Sequence, residues 1–162
     1  MSQTEKTILI VDDTEDTHDI IKENLHDFDF LKIRSAYDGE EAIEDLQNNG
    51  PVDLMLVDLM MPNLDGYSML ERIHKTIIMR LKYTPLKYLG QSNTEVQNHF
   101  HKQDILFTER LRRTPVLIIS ASDQKDDVVK SREFKVKGYL IKPFQYEFFM
   151  DRVGHALNTI LL

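Results

Sequence analysis

Five short strand-like runs, four of them largely apolar and each cut off by a polar or turn-forming residue, constrain the fold of this chain more than any other feature. They cover 7–11, 31–36, 54–57, 115–119 and 138–141. Between them apolar residues recur at helical spacing. Ile20, Ile21 and Leu25 lie on one side of a first helix; Ala42, Ile43 and Leu46 form the inner face of a second; Leu70, Ile73, Ile77 and Leu81 mark a third. A fourth is expected over 124–134, and Phe149, Val153, Ala156 and Ile160 define a last one. Strands alternating with helices predict an α/β fold, a doubly wound parallel sheet covered on both faces with right-handed crossovers. The expected strand order is 2-1-3-4-5, which sets the first and third strands side by side at the switch point.

Local signals support these boundaries. Thr14 or Asp16 offers a cap for the first helix. Asp38 with Glu41 three residues later reads as a capping box for the second, and Asn48-Asn49-Gly50-Pro51 ends it. The third helix starts near Asp65 or Gly66. The run Leu54 to Val57 has no polar residue at all, as expected of a strand buried on both faces.

The 162 residues suffice for one domain with a real core, read as a single unit over 1–162. The net charge of -7 argues against a general nucleic-acid coat, and the absence of cysteine excludes disulfides, thiol catalysis and cysteine metal sites. No apolar run approaches the length of a membrane span, and the first residues lack the apolar core of a secretory signal, so a cytoplasmic protein is expected.

The residues that close the strands carry the chemistry. The first strand ends in Asp12 and Asp13, the third in Asp58, the fourth in Ser120 and the fifth in Lys142. In an open α/β sheet these C-terminal ends share one edge, where ligands bind. Three carboxylates so close together repel one another, and a hard divalent cation with oxygen ligands relieves that repulsion, Mg²⁺ being the usual one in phosphate chemistry. Lys142 adds a fixed positive charge. A nucleophilic carboxylate, a metal, a hydroxyl and an ammonium are the parts needed to accept a phosphoryl group. Taken singly, each residue has a plainer reading as a cap or turn; the convergence of all five at correctly ordered strand ends favours the site.

Ile8-Leu9-Ile10-Val11-Asp12-Asp13, Val57-Asp58-Leu59-Met60-Met61-Pro62, Asp65-Gly66, the stretch from Pro115 to Ala121, and Gly138-Tyr139-Leu140-Ile141-Lys142-Pro143-Phe144 together resemble the receiver domain of two-component response regulators, the CheY-like fold. The resemblance implies that Asp58 is the phosphorylated aspartate. It implies that Asp13 ligates the metal directly, with Asp12 assisting, and that Asp58 and the backbone carbonyl of Met60 complete the protein's share of ligands. Ser120 then resembles the hydroxyl that bonds the phosphoryl group, and Tyr139 the aromatic residue that changes rotamer with it. A cis Lys142-Pro143 bond is implied as well. The implied donor is a sensor histidine kinase or histidine phosphotransfer protein. The implied output is a downstream protein target bound at the face of the fourth helix, fifth strand and last helix. The site would catalyse only its own phosphorylation and dephosphorylation, a switch more than a turnover enzyme. The alternative is a scaffold or binding module that keeps this fold and acts without phosphate; a flavodoxin-like carrier is a further rival, which the paired acids after the first strand oppose.

Two departures stand out. Lys135 and Val136 occupy the place where the family often has Gly-Ala, which makes a left-handed stop to the fourth helix less comfortable. The connection before the fourth strand is far longer than ordinary. Residues 76–113 read as an inserted helical hairpin: Thr84-Pro85 and Gly90 break the third helix, Thr94 and Gln97 resemble a capping box, and Val96, Phe100, Phe107 and Leu111 give an apolar side. The insertion holds seven Lys or Arg against three Asp or Glu, a surplus of four positive charges that leaves the remainder eleven negative. It is expected to serve partner or self association. His99 and His101, two apart, do not share a helical face and are not read as a metal pair.

Overall fold

Strands and helices alternate through the computed structural model, which describes residues 4–83 (side chains to 77), 106–121, 136–159 and 161. The strands are β1 (Lys6–Val11), β2 (Leu31–Ala36), β3 (Leu54–Val57), β4 (Val116–Ser120) and β5 (Val136–Ile141). Helix α1 (Glu15–Leu25) follows β1, α2 (Gly39–Asn49) follows β2, α3 (Gly66–Tyr83) follows β3, and a C-terminal helix (Tyr146–Leu157) follows β5. The sheet is parallel throughout, in the order β2-β1-β3-β4-β5. This is the expected doubly wound topology.

Side-chain alternation along the strands builds two cores. Leu9, Val11, Met55, Val57, Val116 and Ile118 face α2 and α3, where Ala42, Leu46, Met69, Leu70, Ile73 and Ile77 meet them. Ile8, Ile10, Leu54, Leu56, Leu117 and Ile119 face α1 and the C-terminal helix, packing on Ile21, Leu25, Phe149 and Val153. Every residue of β3 is buried, as its unbroken apolar run requires.

The helix ends show which local signals decide. Glu41 N–H donates to Asp38 Oδ1 at 2.9 Å, and Tyr37 N–H donates to Glu41 Oε2 at 2.8 Å, so the reciprocal cap forms one residue earlier than the simplest box. At the other end of α2, which has no basic residue in its last turn, Arg34 of β2 reaches across to the carbonyls of Asn49 and Gly50. Asp65 caps α3, accepting from Ser68 N–H at 2.9 Å and Ser68 Oγ–H at 2.7 Å. Burial raises the Asp65 pKa, but these donors outweigh it and hold the carboxyl below its ordinary value. The folded state therefore holds its proton less readily than the unfolded chain. The contribution is full above the ordinary aspartate range and fades as pH falls through the lowered value. Asp65→Ala should cost about 1 kcal/mol at neutral pH. Asp65→Asn should keep most of the cap and lose the acid dependence, as urea midpoints at neutral and acidic pH will show.

Several boundaries differ from expectation. Thr14 stands at the N-cap of α1, but its side chain makes no cap hydrogen bond, and Asp16 lies inside the helix. Ile20 is half exposed, since it sits a third of a turn from the buried Ile21. β4 runs one residue further than expected, taking in Ser120, and β5 begins at Val136 rather than Gly138. The C-terminal helix stops at Leu157 because Asn158 adopts a left-handed conformation, φ 53°; Ile160, expected on its apolar face, lies outside the described residues. The helix expected over 124–134, and with it Lys135, lies outside the described residues. So do His99, His101, the 94/97 capping box and the central part of the insertion; Leu81 lies outside the described side chains. At the flanks of the insertion, α3 continues to Tyr83 and residues 106–113 are helical. Leu111 packs on the α2–α3 core, and Thr108 is buried.

Candidate functional site

The pairing of strand ends sets the site. Asp58 N–H donates to Val11 O at 2.8 Å and Asp12 N–H to Ala36 O at 3.1 Å, which brings the end of β3 level with β1 and that of β1 level with β2. Lys142 N–H donates to Ser120 O at 2.9 Å and closes the ends of β4 and β5 in the same way. Val57 pairs with Ile118, so Ser120 stands two residues past that rung, at the same edge as Asp58.

Asp12 and Asp58 are buried carboxylates, 1% and 6% exposed. Each divides its oxygens between its own loop and Lys142. Asp12 Oδ1 accepts from Thr14 N–H at 3.0 Å and from the Thr14 hydroxyl at 2.6 Å. Asp58 Oδ1 accepts from Met60 N–H at 2.9 Å. The Lys142 ammonium donates to Asp12 Oδ2 at 2.5 Å and to Asp58 Oδ2 at 2.6 Å. Burial lowers the Lys142 pKa, but the hydrogen bonds and charges of the two aspartates outweigh it and raise the value above that of an ordinary lysine. The ammonium is therefore a permanent charge at neutral pH.

Asp13 is exposed and completes an acidic group with Asp12 and Asp58, one ligand oxygen from each lying within 4.8 Å of the others. Three carboxylates and one ammonium leave two negative charges uncompensated. An all-oxygen donor set with that residual charge fits a hard dication. Ser120 is fully buried at the same edge. Tyr139 of β5 pairs with Ile118 of β4 and packs, half buried, against the α2–α3 core. Met60 is exposed on the loop after β3. The Lys142-Pro143 peptide is cis.

Sequence reasoning placed these residues at one edge but did not see that Lys142 spans two carboxylates. It also treated Thr14 only as a cap and passed over His18. His18 is fully buried on α1, with Nε2 2.8 Å from the Asp12 carbonyl and Nδ1 3.0 Å from Ser35 Oγ. The usable signal was spacing: Thr17, His18, Ile21 and Leu25 share one helical face.

Residues 8–86 match the family model of the response regulator receiver domain. Across nearly the whole chain, the chemotaxis protein CheY of Pseudomonas aeruginosa is 26% identical over 153 residues, covering 94% of this chain and 97% of that one. The chain carries a response regulator receiver domain. The receiver is also 29% identical, over 139 residues, to the alkaline phosphatase synthesis transcriptional regulatory protein PhoP of Bacillus subtilis, covering 86% of this chain and 43% of PhoP. A Francisella response regulator receiver domain superposes with a TM-score of 0.61 at 27% identity, covering 95% of this chain and 98% of that one. A CheY-like receiver from Methanospirillum hungatei gives 0.67 at 19% identity, covering 96% and 95%, and shows the shared fold. The family match takes in Asp12, Asp13 and Asp58; the Pseudomonas and Francisella alignments extend over nearly all of the rest. A two-component signalling switch is therefore the class of protein to which this site belongs. No helix among the described residues is long and apolar enough to cross a membrane.

Proposed function

We propose that this receiver takes a phosphoryl group onto Asp58 from a sensor histidine kinase or a histidine phosphotransfer protein, with Mg²⁺ present, and so alters a protein-binding face. The observation that carries the reading is the shared ammonium: Lys142 ties Asp58 to Asp12 at a strand end where Asp13 adds a third carboxylate. An Asp58 oxygen attacks phosphorus; the donor's N–P bond breaks, its electron pair stays with the imidazole nitrogen, and an acyl phosphate forms. Asp12, Asp13, Asp58 and the Met60 carbonyl would hold Mg²⁺, which when bound supplies countercharge to the phosphoryl oxygens. Lys142 supplies a further fixed charge. The Ser120 hydroxyl donates to the phosphoryl group, and Tyr139 changes rotamer with it. The protein acts as a switch and not as a turnover enzyme, in the cytoplasm. Ile141, Tyr146 and Phe148, all substantially exposed, lie on the side of β5 and the C-terminal helix that would meet a downstream target. The 76–113 insertion offers a second docking element to a partner or another copy.

The test is phosphoryl uptake. The intact protein, incubated with acetyl phosphate and Mg²⁺, should gain the mass of one phosphoryl group, and chelation of the metal should prevent it. A protein that gains no mass under any metal condition would support the phosphate-independent scaffold instead.

A further inference from the structure

Asp13 is the acidic residue that no described side chain holds. Asp12 Oδ1 is fixed by Thr14, Asp58 Oδ1 by Met60 N–H, and both are joined by Lys142. Among the described residues, none donates to the Asp13 carboxylate, which is exposed at the head of α1. Its direction toward Asp12 and Asp58 must come from the backbone.

His18 controls that backbone. Its Nε2 lies 2.8 Å from the Asp12 carbonyl oxygen. A carbonyl only accepts, so Nε2 carries the hydrogen, and Nδ1 is within hydrogen-bond distance of the Ser35 hydroxyl, 3.0 Å away. The ring is fully buried and packs on Tyr37, with centroids 4.5 Å apart. It is therefore held on three sides, by α1, β2 and the loop after β2. The peptide between Asp12 and Asp13 is planar, so fixing its carbonyl fixes the plane from which Asp13 departs.

We propose that His18 is a positioning residue for the cation site, presenting Asp13 to a divalent metal by holding the Asp12–Asp13 peptide. The inference rests on the reading of Asp12, Asp13 and Asp58 as metal ligands and adds a residue from outside the strand ends. A second-layer hydrogen bond of this kind acts on metal affinity without touching the ion.

The test compares Mg²⁺ affinity, by calorimetry on the full chain, in the parent and in His18→Gln, His18→Asn and His18→Leu. Glutamine reaches as far as Nε2 and can donate to the Asp12 carbonyl; asparagine is too short, and leucine has no donor. Expected are a Gln affinity within about twofold of the parent and Asn and Leu affinities weaker by about tenfold or more. Phosphoryl uptake by the Asn variant should recover at saturating Mg²⁺, a split that general loss of structure would not produce. If His18→Leu does not fold, the Gln and Asn pair decides alone. An Asn variant that binds Mg²⁺ as tightly as the parent, or a Gln variant as weak as Asn, overturns the role of His18. A parent that binds no Mg²⁺ overturns the metal reading itself, and the two failures are distinct.

Discussion

Asp58→Asn should end phosphoryl uptake completely while the protein keeps its fold. The amide has no anionic oxygen with which to attack phosphorus, and neither neighbouring aspartate replaces it. Asp12 is held by Thr14 and Lys142 on both oxygens, and Asp13 is exposed, whereas Asp58 is buried at the exit of β3. The substitution also disturbs a matched pair of contacts. One Asp58 oxygen accepts from Met60 N–H and the other from Lys142, and an amide can serve only one of them as acceptor. The cost of the donor left facing an amide NH₂, about 1–3 kcal/mol, is offset in part by removing one of three clustered carboxylates. Urea midpoints should therefore fall modestly, and Mg²⁺ affinity should fall with the loss of a ligand. Intact mass after incubation with acetyl phosphate is the decisive readout. A gain that persists in Asp58→Asn at the parental level would move the acceptor elsewhere.

The reach of sequence reasoning here follows from where the information lies. Strand order, the buried β3 and the convergence of Asp12, Asp58, Ser120 and Lys142 follow from alternation and from the rule that parallel strands end together, so local patterns were enough. Contacts between loops were not legible. That Asn63, at φ 61°, donates to Asp38 at 2.7 Å and ties the loop after β3 to the loop after β2 depends on how two turns meet in space. The same holds for Lys142 bridging two carboxylates and for His18 reaching the Asp12 carbonyl. Adjacent positions on α1 misled for a related reason. Ile20 and Ile21 are both apolar, yet only Ile21 turns to the core, because the inner stripe is set by Thr17, His18, Ile21 and Leu25. Polar residues in that stripe disguised it.

Gly66 carries the other large expected effect. In sequence it reads as half of an Asp-Gly turn that opens α3, and a turn glycine is ordinarily needed for a positive φ. Gly66 is not among the positive-φ glycines, whereas Gly50 is, at 85°. Its requirement is space: a Cβ at Gly66 would lie 2.1 Å from the Asp58 carbonyl oxygen and 2.9 Å from Val57 Cγ1. The nearest obstacle is backbone and cannot rotate away. Gly66→Ala must push the start of α3 off the end of β3, straining the 3.3 Å bond from Gly66 N–H to Leu59 O and shifting the strand end that carries Asp58. Overpacking of this kind costs about 1–3 kcal/mol, and a backbone obstacle places it at the upper end. Gly50→Ala is the control. There a Cβ meets nothing within 4 Å, so the cost is conformational, of order 1 kcal/mol, and falls at the far end of α2. Both variants should lower the urea midpoint, but Gly66→Ala should also weaken Mg²⁺ binding and slow phosphoryl uptake, whereas Gly50→Ala should leave both as in the parent. If Gly66→Ala matches Gly50→Ala in all three measurements, α3 yields at its N-terminus without moving Asp58, and the close approach at Gly66 does not control the site.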